Sequence, residues 1–288
     1  MRFPTLTRLS PALAAAAFAA SAADAQTVRQ AAGLAAADIQ AAVDQYRLDL
    51  GALNPNNPGS FGSGRREINW DAVPDAFAAP NAFPADFFNQ STPGRARGVL
   101  FGTPGTGFQV SADADNPTAT PKDFANIDAS YLGEFEAFSP ERLFTSLGSN
   151  VTRVDFFIPG SNTPATTRGF GSVFSDVDLA NETKIEYFDS NDQLIFTALV
   201  PAAGIAHQSF SFTGVSFVDA MVAHVIITSG DENLADGVVD DPEGDGRIVP
   251  VDLVVMDDFI YGEPVPEPSS LLLLAGGLLA FGRRMLGR

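Results

Sequence analysis

Short β-prone segments recur along the second half of the chain, and this repetition constrains the fold more than any other feature of the sequence. They cover residues 151–158, 170–178, 183–188, 193–200, 209–217, 222–228 and 251–261. Most are rich in β-branched and aromatic residues and end at Gly, Pro, Asn or Asp, as strands and their turns do. No helical pattern separates them, so we expect antiparallel pairing. The sequence therefore predicts a mainly β protein built as an antiparallel, jelly-roll-like β-sandwich.

A helical pattern precedes the strands. Between residues 26 and 53, apolar residues recur at near-helical spacing: Leu34, Ile39, Val43, Tyr46 and Leu50. Asp38 is well placed to cap this helix, and Gly51 ends it. We therefore expect a helical leader and loop over residues 26–60, a β-sandwich over residues 61–264 and a separate tail over residues 265–288.

The first 25 residues have the organisation of a secretory signal peptide. Arg2 and Arg8 lie in a basic n-region, and an alanine-rich apolar stretch follows over residues 12–20. Ala23-Asp24-Ala25 then provides a cleavage site of the small-x-small type. The sequence thus predicts an exported protein whose mature chain begins near Gln26.

Composition narrows the functions open to an exported chain. Its 35 acidic residues outnumber its 17 basic residues, which gives a formal net charge of -18. Such a surface repels nucleic acid and attracts divalent cations, so nucleic-acid binding is disfavoured. The chain has no cysteine, which excludes a disulfide framework, thiol catalysis and cysteine-ligated zinc. Its 24 Phe and single Trp predict a phenylalanine-rich core under an acidic surface.

The residue types that carry hydrolytic chemistry form no recognised motif. The two histidines are His207 and His224, and neither belongs to a His-Glu-x-x-His zinc motif. A Gly-x-Ser-x-Gly nucleophile elbow is also missing from the sequence. Glycoside hydrolysis needs two carboxylates that face each other across a cleft. Glu134 and Glu136 would share one face of a strand, but we interpret them as solvated acids. We predict a non-enzymatic protein, with a secreted polysaccharide hydrolase as the alternative.

Calcium is the cofactor that suits an acidic β protein. Ca²⁺ takes six to eight oxygen ligands, often from carboxylates on loops at strand ends. Asp176 and Asp178 lie on one face at the end of a predicted strand and form the first candidate calcium site. Residues 231–245 are also rich in Asp, Glu and Gly, but they follow neither the EF-hand order nor a glycine-rich nonapeptide repeat. We interpret that run as a mobile acidic loop.

Asp257 and Asp258 form the second candidate calcium site. They interrupt the otherwise apolar closing strand, so one of the two carboxylates must point toward the core. A carboxylate in that position is costly unless it has a partner. Either Ca²⁺ or an arginine such as Arg153 or Arg168 meets this need.

Arg66, Asn69, Trp70 and Asp71 form the densest cluster of polar and aromatic residues. One interpretation is a ligand-binding platform for sugar or peptide, on which Trp70 stacks and the polar residues donate or accept hydrogen bonds. The other is a structural clasp, in which an arginine pairs with an acidic neighbour and Trp70 fills the core. The clasp is favoured because tryptophan is usually well buried.

The last 24 residues combine three parts in a fixed order. They are the proline-flanked acidic segment Val265-Pro266-Glu267-Pro268, an apolar run over residues 271–281, and a basic end that contains Arg283 and Arg284. The run is shorter than the ~20 residues that cross a bilayer comfortably, so we expect a short hydrophobic helix that anchors the chain only transiently. The arginines would stay on the cytoplasmic side of the membrane.

This tail resembles the PEP-CTERM sorting tail of Gram-negative bacteria. The resemblance implies recognition by an exosortase-type processing enzyme, transient association with the inner membrane, passage through the periplasm and delivery to the cell surface or extracellular matrix. Residues 170–261 are similar to the β-sandwich bodies of PEP-CTERM proteins. They are also similar to jelly-roll carbohydrate-binding modules, whose last strand carries Asp before an aromatic-aliphatic pair, as Asp257-Asp258-Phe259-Ile260 does here. That second resemblance implies binding of calcium and polysaccharide.

The sequence as a whole therefore predicts an exported surface or matrix protein without enzymatic activity. We expect a structural or adhesive role within exopolysaccharide, with weak glycan contacts that calcium assists.

Overall fold

A computed structural model describes residues 26–244 and 249–267 of the 288-residue chain. The predicted signal peptide and the predicted hydrophobic helix of the tail lie outside the described residues, as do residues 245–248, which include the last residue of the acidic run. The chain is mainly β, with 35% strand and 10% helix, and its sheets are antiparallel. This confirms the fold class, whereas the jelly-roll connectivity stays a prediction.

Fourteen strands, one α-helix and three short 3₁₀ helices (Asp75–Phe77, Phe87–Asn89 and Ala129–Tyr131) make up the regular structure of the described residues. The strands are β1 (Gln26–Gly33), β2 (Arg65–Ile68), β3 (Val99–Gly102), β4 (Gly107–Val110), β5 (Phe144–Leu147), β6 (Val151–Phe156), β7 (Ala165–Thr166), β8 (Gly169–Ser175), β9 (Lys184–Phe188), β10 (Leu194–Leu199), β11 (Phe210–Phe217), β12 (His224–Thr228), β13 (Val255–Gly262) and β14 (Val265–Pro266). The helix, α1 (Ala36–Leu50), lies between β1 and β2. Each predicted segment after residue 150 contains one of these strands.

Two antiparallel sheets build the sandwich. The larger sheet has the order β1-β11-β8-β13-β5-β4, with β2 also paired to β13, and the smaller has the order β10-β9-β12-β6-β3. β7 and β14 form a separate two-stranded pair. β13 is central in the larger sheet, because it pairs with β8 on one side and with β5 and β2 on the other. All eight residues of β13 are buried.

Aromatic side chains fill the space between the sheets. Trp70 stacks on Phe144 with ring centroids 4.0 Å apart and an interplanar angle of 4°. Phe83, Phe88 and Phe259 meet the same indole edge-on. Each aromatic ring removes about 150–250 Å² from water, so this cluster provides a large share of the hydrophobic stabilisation. The predicted phenylalanine-rich core is confirmed.

Residues 26–33 form a strand, and the prediction of a helix over them was wrong. β1 pairs with β11 along all eight of its residues, and α1 begins only at Ala36. Asp38 does not occupy the N-cap position: it lies in the first turn and accepts a hydrogen bond from Ala35 N at 3.0 Å. Pairing with β11 overrides the helix propensity of the alanines and glutamines. β1 therefore belongs to the larger sheet, whereas the domain boundary at residue 60 stays a prediction.

Helix α1 docks on the larger sheet where two glycines leave room for a tyrosine. Tyr46 is buried, and its hydroxyl donates a hydrogen bond to Val215 O at 3.0 Å. Gly171 of β8 pairs with Gly214 of β11. A Cβ atom at these positions would lie 2.8 Å and 2.9 Å from the Tyr46 ring, which is closer than van der Waals contact. Glycine at both positions therefore allows the helix to approach the sheet.

Candidate cation site and the tail junction

Four side chains that could ligate a metal ion meet at one end of the larger sheet, although they are far apart in the sequence. Asp176 follows β8, Glu134 follows a 3₁₀ turn, His207 precedes β11, and Asp240 lies in the acidic segment before β13. One potential ligand atom of each residue lies within 4.8 Å of those of the others. These four residues and Asp178, whose charge acts on Asp176, are here called the carboxylate cluster.

Asp176 is the most constrained member of the cluster. Its side chain is 0% exposed, and its backbone φ of 71° lies in the left-handed region that few non-glycine residues adopt. Neither of its carboxylate oxygens accepts a hydrogen bond from any residue that the structure describes. Burial, together with the nearby carboxyl groups of Glu134, Asp178 and Asp240, raises the pKa of Asp176 to about 11. An ionised Asp176 is therefore very costly unless a cation compensates it.

Asp178 and Asp240 are buried with part of their hydrogen-bonding capacity unused. Both oxygens of Asp178 and Oδ2 of Asp240 lack a donor among the described residues. The other oxygen of Asp240 accepts a hydrogen bond from Leu253 N at 2.7 Å. Burial raises the pKa of both carboxyl groups, that of Asp240 to about 7. Three adjacent carboxyl groups are thus held out of water without enough protein donors.

His207 and Glu134 complete the cluster on its solvent side. His207 Nδ1 is hydrogen-bonded to Glu134 Oε1, and this contact raises the pKa of the imidazole. The His207 side chain is 65% exposed. A cavity of about 340 Å³ lies beside it, with Asp178 and Asp240 in its lining. Water and small ions can therefore reach Asp178 and Asp240 from this side.

The donor set of the cluster suits a hard divalent cation, because carboxylate oxygens are the ligands that Ca²⁺, Mg²⁺ and Mn²⁺ prefer. The sequence pointed to Asp176 and Asp178 but not to the residues that join them. Glu134 was interpreted as a solvated acid, and Asp240 was placed in a mobile loop. Leu234 in that acidic segment is buried, and Tyr131 donates a hydrogen bond from its hydroxyl to Val238 O at 2.8 Å. The composition of the acidic run was the only available signal for Asp240.

Asp257 and Asp258, the second predicted site, lie at a β-bulge where the register of β13 against β8 shifts. The bulge lets both carboxylates be buried, rather than one. Oδ2 of Asp257 accepts hydrogen bonds from Phe138 N at 2.7 Å and Ser139 N at 3.1 Å. Burial and the adjacent Asp258 raise the pKa of Asp257, while these amides oppose that rise.

The arginine that pairs with this site is Arg47, so the predicted partners Arg153 and Arg168 were wrong. Arg47 Nη2 donates to Asp258 Oδ2 at 3.0 Å, and the hydroxyl of Ser139 donates to Asp258 Oδ1 at 2.8 Å. Arg47 reaches β13 from helix α1, which packs across that strand. Burial raises the pKa of Asp258 to about 6. Protein donors thus serve both aspartates, and nothing in their contacts calls for calcium.

The predicted ligand platform forms the clasp instead. Trp70 is 1% exposed and donates from Nε1 to Asp257 O at 3.2 Å. Arg66 is fully buried, and Asn69 Nδ2 donates to Asp71 Oδ2 at 2.7 Å. Trp70 and Arg66 therefore have no exposed surface on which a ligand could rest.

Arg66 fastens the start of the tail to the body. Its Nε and Nη2 atoms donate to Glu263 Oε2 and Oε1 at 2.7 Å and 2.9 Å, and both side chains are 0% exposed. Two residues further on, β14 pairs Val265 with Thr166 of β7. The segment between β13 and Pro266 is thus held against the sandwich.

Comparison with known proteins assigns the C-terminal segment. Residues 264–288 match the model of the PEP-CTERM protein-sorting motif. No curated protein and no solved structure gives a significant match to the chain, so the resemblance to carbohydrate-binding modules stays a prediction. In the described part of the chain, no helix combines the length and apolar character that a membrane span requires. The chain thus carries a PEP-CTERM sorting motif, and this motif indicates an exported protein that an exosortase handles at the membrane.

Proposed function

We propose that the chain is a structural and adhesive component of the cell surface and its exopolysaccharide matrix, and that its body is not a catalyst. The observation that carries this proposal is the way the sorting segment joins the body. β13 is the central strand of the larger sheet, and only Glu263 and Pro264 separate it from β14. The body and the start of the sorting motif are therefore one mechanical unit.

This junction suits a protein that bears load. Tension applied to the tail acts along β13, which is hydrogen-bonded to β8 on one side and to β2 and β5 on the other. Displacement of β13 must break ladders on both of its edges, because inter-strand hydrogen bonds lie perpendicular to the strand. The buried pair of Arg66 and Glu263 resists the first step of such a displacement.

The acidic surface supports the adhesive part of the proposal. With a formal net charge of -18, the chain attracts divalent cations, and these can bridge surface carboxylates to an anionic polysaccharide. Such contacts are individually weak and would act together over the surface.

A binding assay tests the proposal. The purified full chain is passed over exopolysaccharide from the bacterium that produces it, and the retained fraction in Ca²⁺ is compared with that in EDTA. We expect calcium-dependent retention and no release of reducing sugar ends. The variant Asp176→Asn is the matched control, because it changes a buried residue and leaves the acidic surface intact; its retention should equal that of the wild type. Absence of retention under both conditions would contradict the adhesive role.

A secreted hydrolase is the second candidate, and one observation favours it. Asp240, whose pKa burial raises to about 7, lines the same cavity as Asp178, and acids with raised pKa values are common in active sites. Release of reducing ends from the polysaccharide, abolished by Asp240→Asn, would support the hydrolase and refute the structural proposal.

A further inference from the structure

We propose that Glu134, Asp176 and Asp240 form a calcium site that fastens the acidic segment at residues 231–243 to the end of the larger sheet. Each of the three residues offers a ligand atom within 4.8 Å of those of the other two. Asp176 is fully buried, and neither of its oxygens is hydrogen-bonded to a described residue. A cation between the three carboxylates would compensate charges that the described protein groups leave uncompensated.

The backbone holds the three carboxylates together even though they repel one another. Asp176 N donates to Ser209 O at 3.0 Å, and Glu134 O accepts from Gln208 N at 2.8 Å. Asp240 is positioned by the hydrogen bond from Leu253 N to its Oδ1 atom. Each ligand is therefore placed by contacts of its own, and the site does not have to be assembled by the ion. Such preorganisation lowers the cost of binding.

Oxygen donors and access to solvent favour Ca²⁺ over other divalent ions. Three carboxylates can provide up to about six oxygens, and water from the cavity of about 340 Å³ that Asp240 and His207 line could complete a shell of six to eight ligands. Zn²⁺ would need His207 as a ligand, but that imidazole is mostly exposed and is hydrogen-bonded to Glu134. Asp178 adds negative charge next to the site without being one of its close ligand atoms.

The site would join parts of the chain that share a small separate core. Phe124, Tyr131, Phe135, Leu143, Leu234, Leu253 and Val255 form that core, which includes residues from the segments that carry Glu134 and Asp240. Asp176 directly follows β8 of the larger sheet. A bound Ca²⁺ would thus fasten the small core to the sandwich. Extracellular calcium modules bind with Kd on the order of 10⁻⁴ to 10⁻³ M, so the ion would load after export.

Calorimetric titration and thermal denaturation of the EDTA-treated full chain test the site, with CaCl₂, MgCl₂ and ZnCl₂ each used alone. For a Kd of about 10⁻⁴ M, about 10 mM Ca²⁺ should raise the Tm by about 5–10 °C. Asp176→Asn should abolish this rise, and in EDTA its Tm should equal or exceed that of the wild type because the neutral amide needs no counter-ion at this buried position. Asp240→Asn should reduce the rise and serves as a second variant.

Asp257→Asn is the matched control, because Asp257 is equally buried but accepts hydrogen bonds from backbone amides. It should lower the Tm both in EDTA and in Ca²⁺ and keep the full calcium-dependent rise. The absence of heat and of a Tm shift with Ca²⁺, or an undiminished rise in Asp176→Asn, would overturn the proposal. A response to Zn²⁺ alone that is lost in His207→Ala would overturn the assignment to calcium. These outcomes do not involve polysaccharide, so they stand apart from the test of the proposed function.

Discussion

Replacement of Glu263 by glutamine tests whether a buried ion pair holds the tail junction. Glu263 accepts hydrogen bonds from Arg66, from Asn54 Nδ2 at 2.9 Å and from Phe61 N at 3.2 Å. The Glu263→Gln side chain has nearly the same shape but no charge, and it leaves the buried guanidinium of Arg66 without a counter-ion. Loss of one partner of a buried pair costs about 3–5 kcal/mol.

The lower end of that range applies to Glu263→Gln. Its amide oxygen can still accept a hydrogen bond, and Arg66 still donates to Ala96 O at 2.5 Å and Gly59 O at 3.1 Å. We therefore expect a loss of about 3 kcal/mol in the free energy of unfolding. In a protein of this size, that loss corresponds to a fall in Tm of about 6–12 °C.

Urea denaturation followed by circular dichroism, together with differential scanning calorimetry, measures this loss. Arg153→Gln is the matched control, because Arg153 pairs with Asp155 at 2.8 Å on the surface, and exposed pairs contribute about 0–1 kcal/mol. The double variant Arg66→Met/Glu263→Leu should recover part of the stability, since apolar residues can replace a buried ion pair. If Glu263→Gln costs no more than Arg153→Gln, the argument for a buried clamp at the junction is refuted.

Three further predictions concern the core, the helix and pH. Trp70→Ala should lower the free energy of unfolding by about 3–5 kcal/mol, and Trp70→Phe clearly less, because the indole is stacked on Phe144 in the core. Fluorescence of the wild-type Trp70 should be insensitive to added glycan, and a glycan-dependent change would contradict its burial. Gly171→Ala should lower the Tm because the added Cβ atom clashes with Tyr46. Gly204→Ala is the control: a Cβ atom there meets no neighbour, so this variant tests mainly the cost of a positive φ. Equal effects of the two substitutions on the Tm would contradict tight docking of α1. Because burial raises the pKa of Asp258 from 3.8 to about 6, the folded state binds this proton more tightly than the unfolded state does. The stabilisation that results is complete below about pH 4 and is lost as pH rises to about 6; urea denaturation in EDTA should show this slope, and Asp258→Asn should make it shallower.

Local pattern was enough to predict seven of the strands after residue 150 and the tail. Val225 and Ile227, for example, lie in β12. Their segment is rich in β-branched residues, which fit a pleated, half-buried surface. The composition, with 24 Phe and a single Trp, also predicted a core rich in phenylalanine. The order of the tail, from Val265 to the arginines, needs no tertiary contact to be recognised, and the match at residues 264–288 confirms it.

Contacts between distant segments decided the rest. β1 contains alanines and glutamines that would suit a helix, and only the open edge of β11 makes it a strand. Arg47 was not predicted as the partner of Asp258, because the two are 211 residues apart and meet only when α1 docks on the sheet. Glu134, Asp176 and Asp240 likewise have no shared pattern, since each comes from a different loop. The sequence by itself determined which elements form and where the protein is sent, because propensity and sorting motifs act locally. Tertiary structure alone decided which charges are buried and what faces them, because burial depends on the packing of the whole chain.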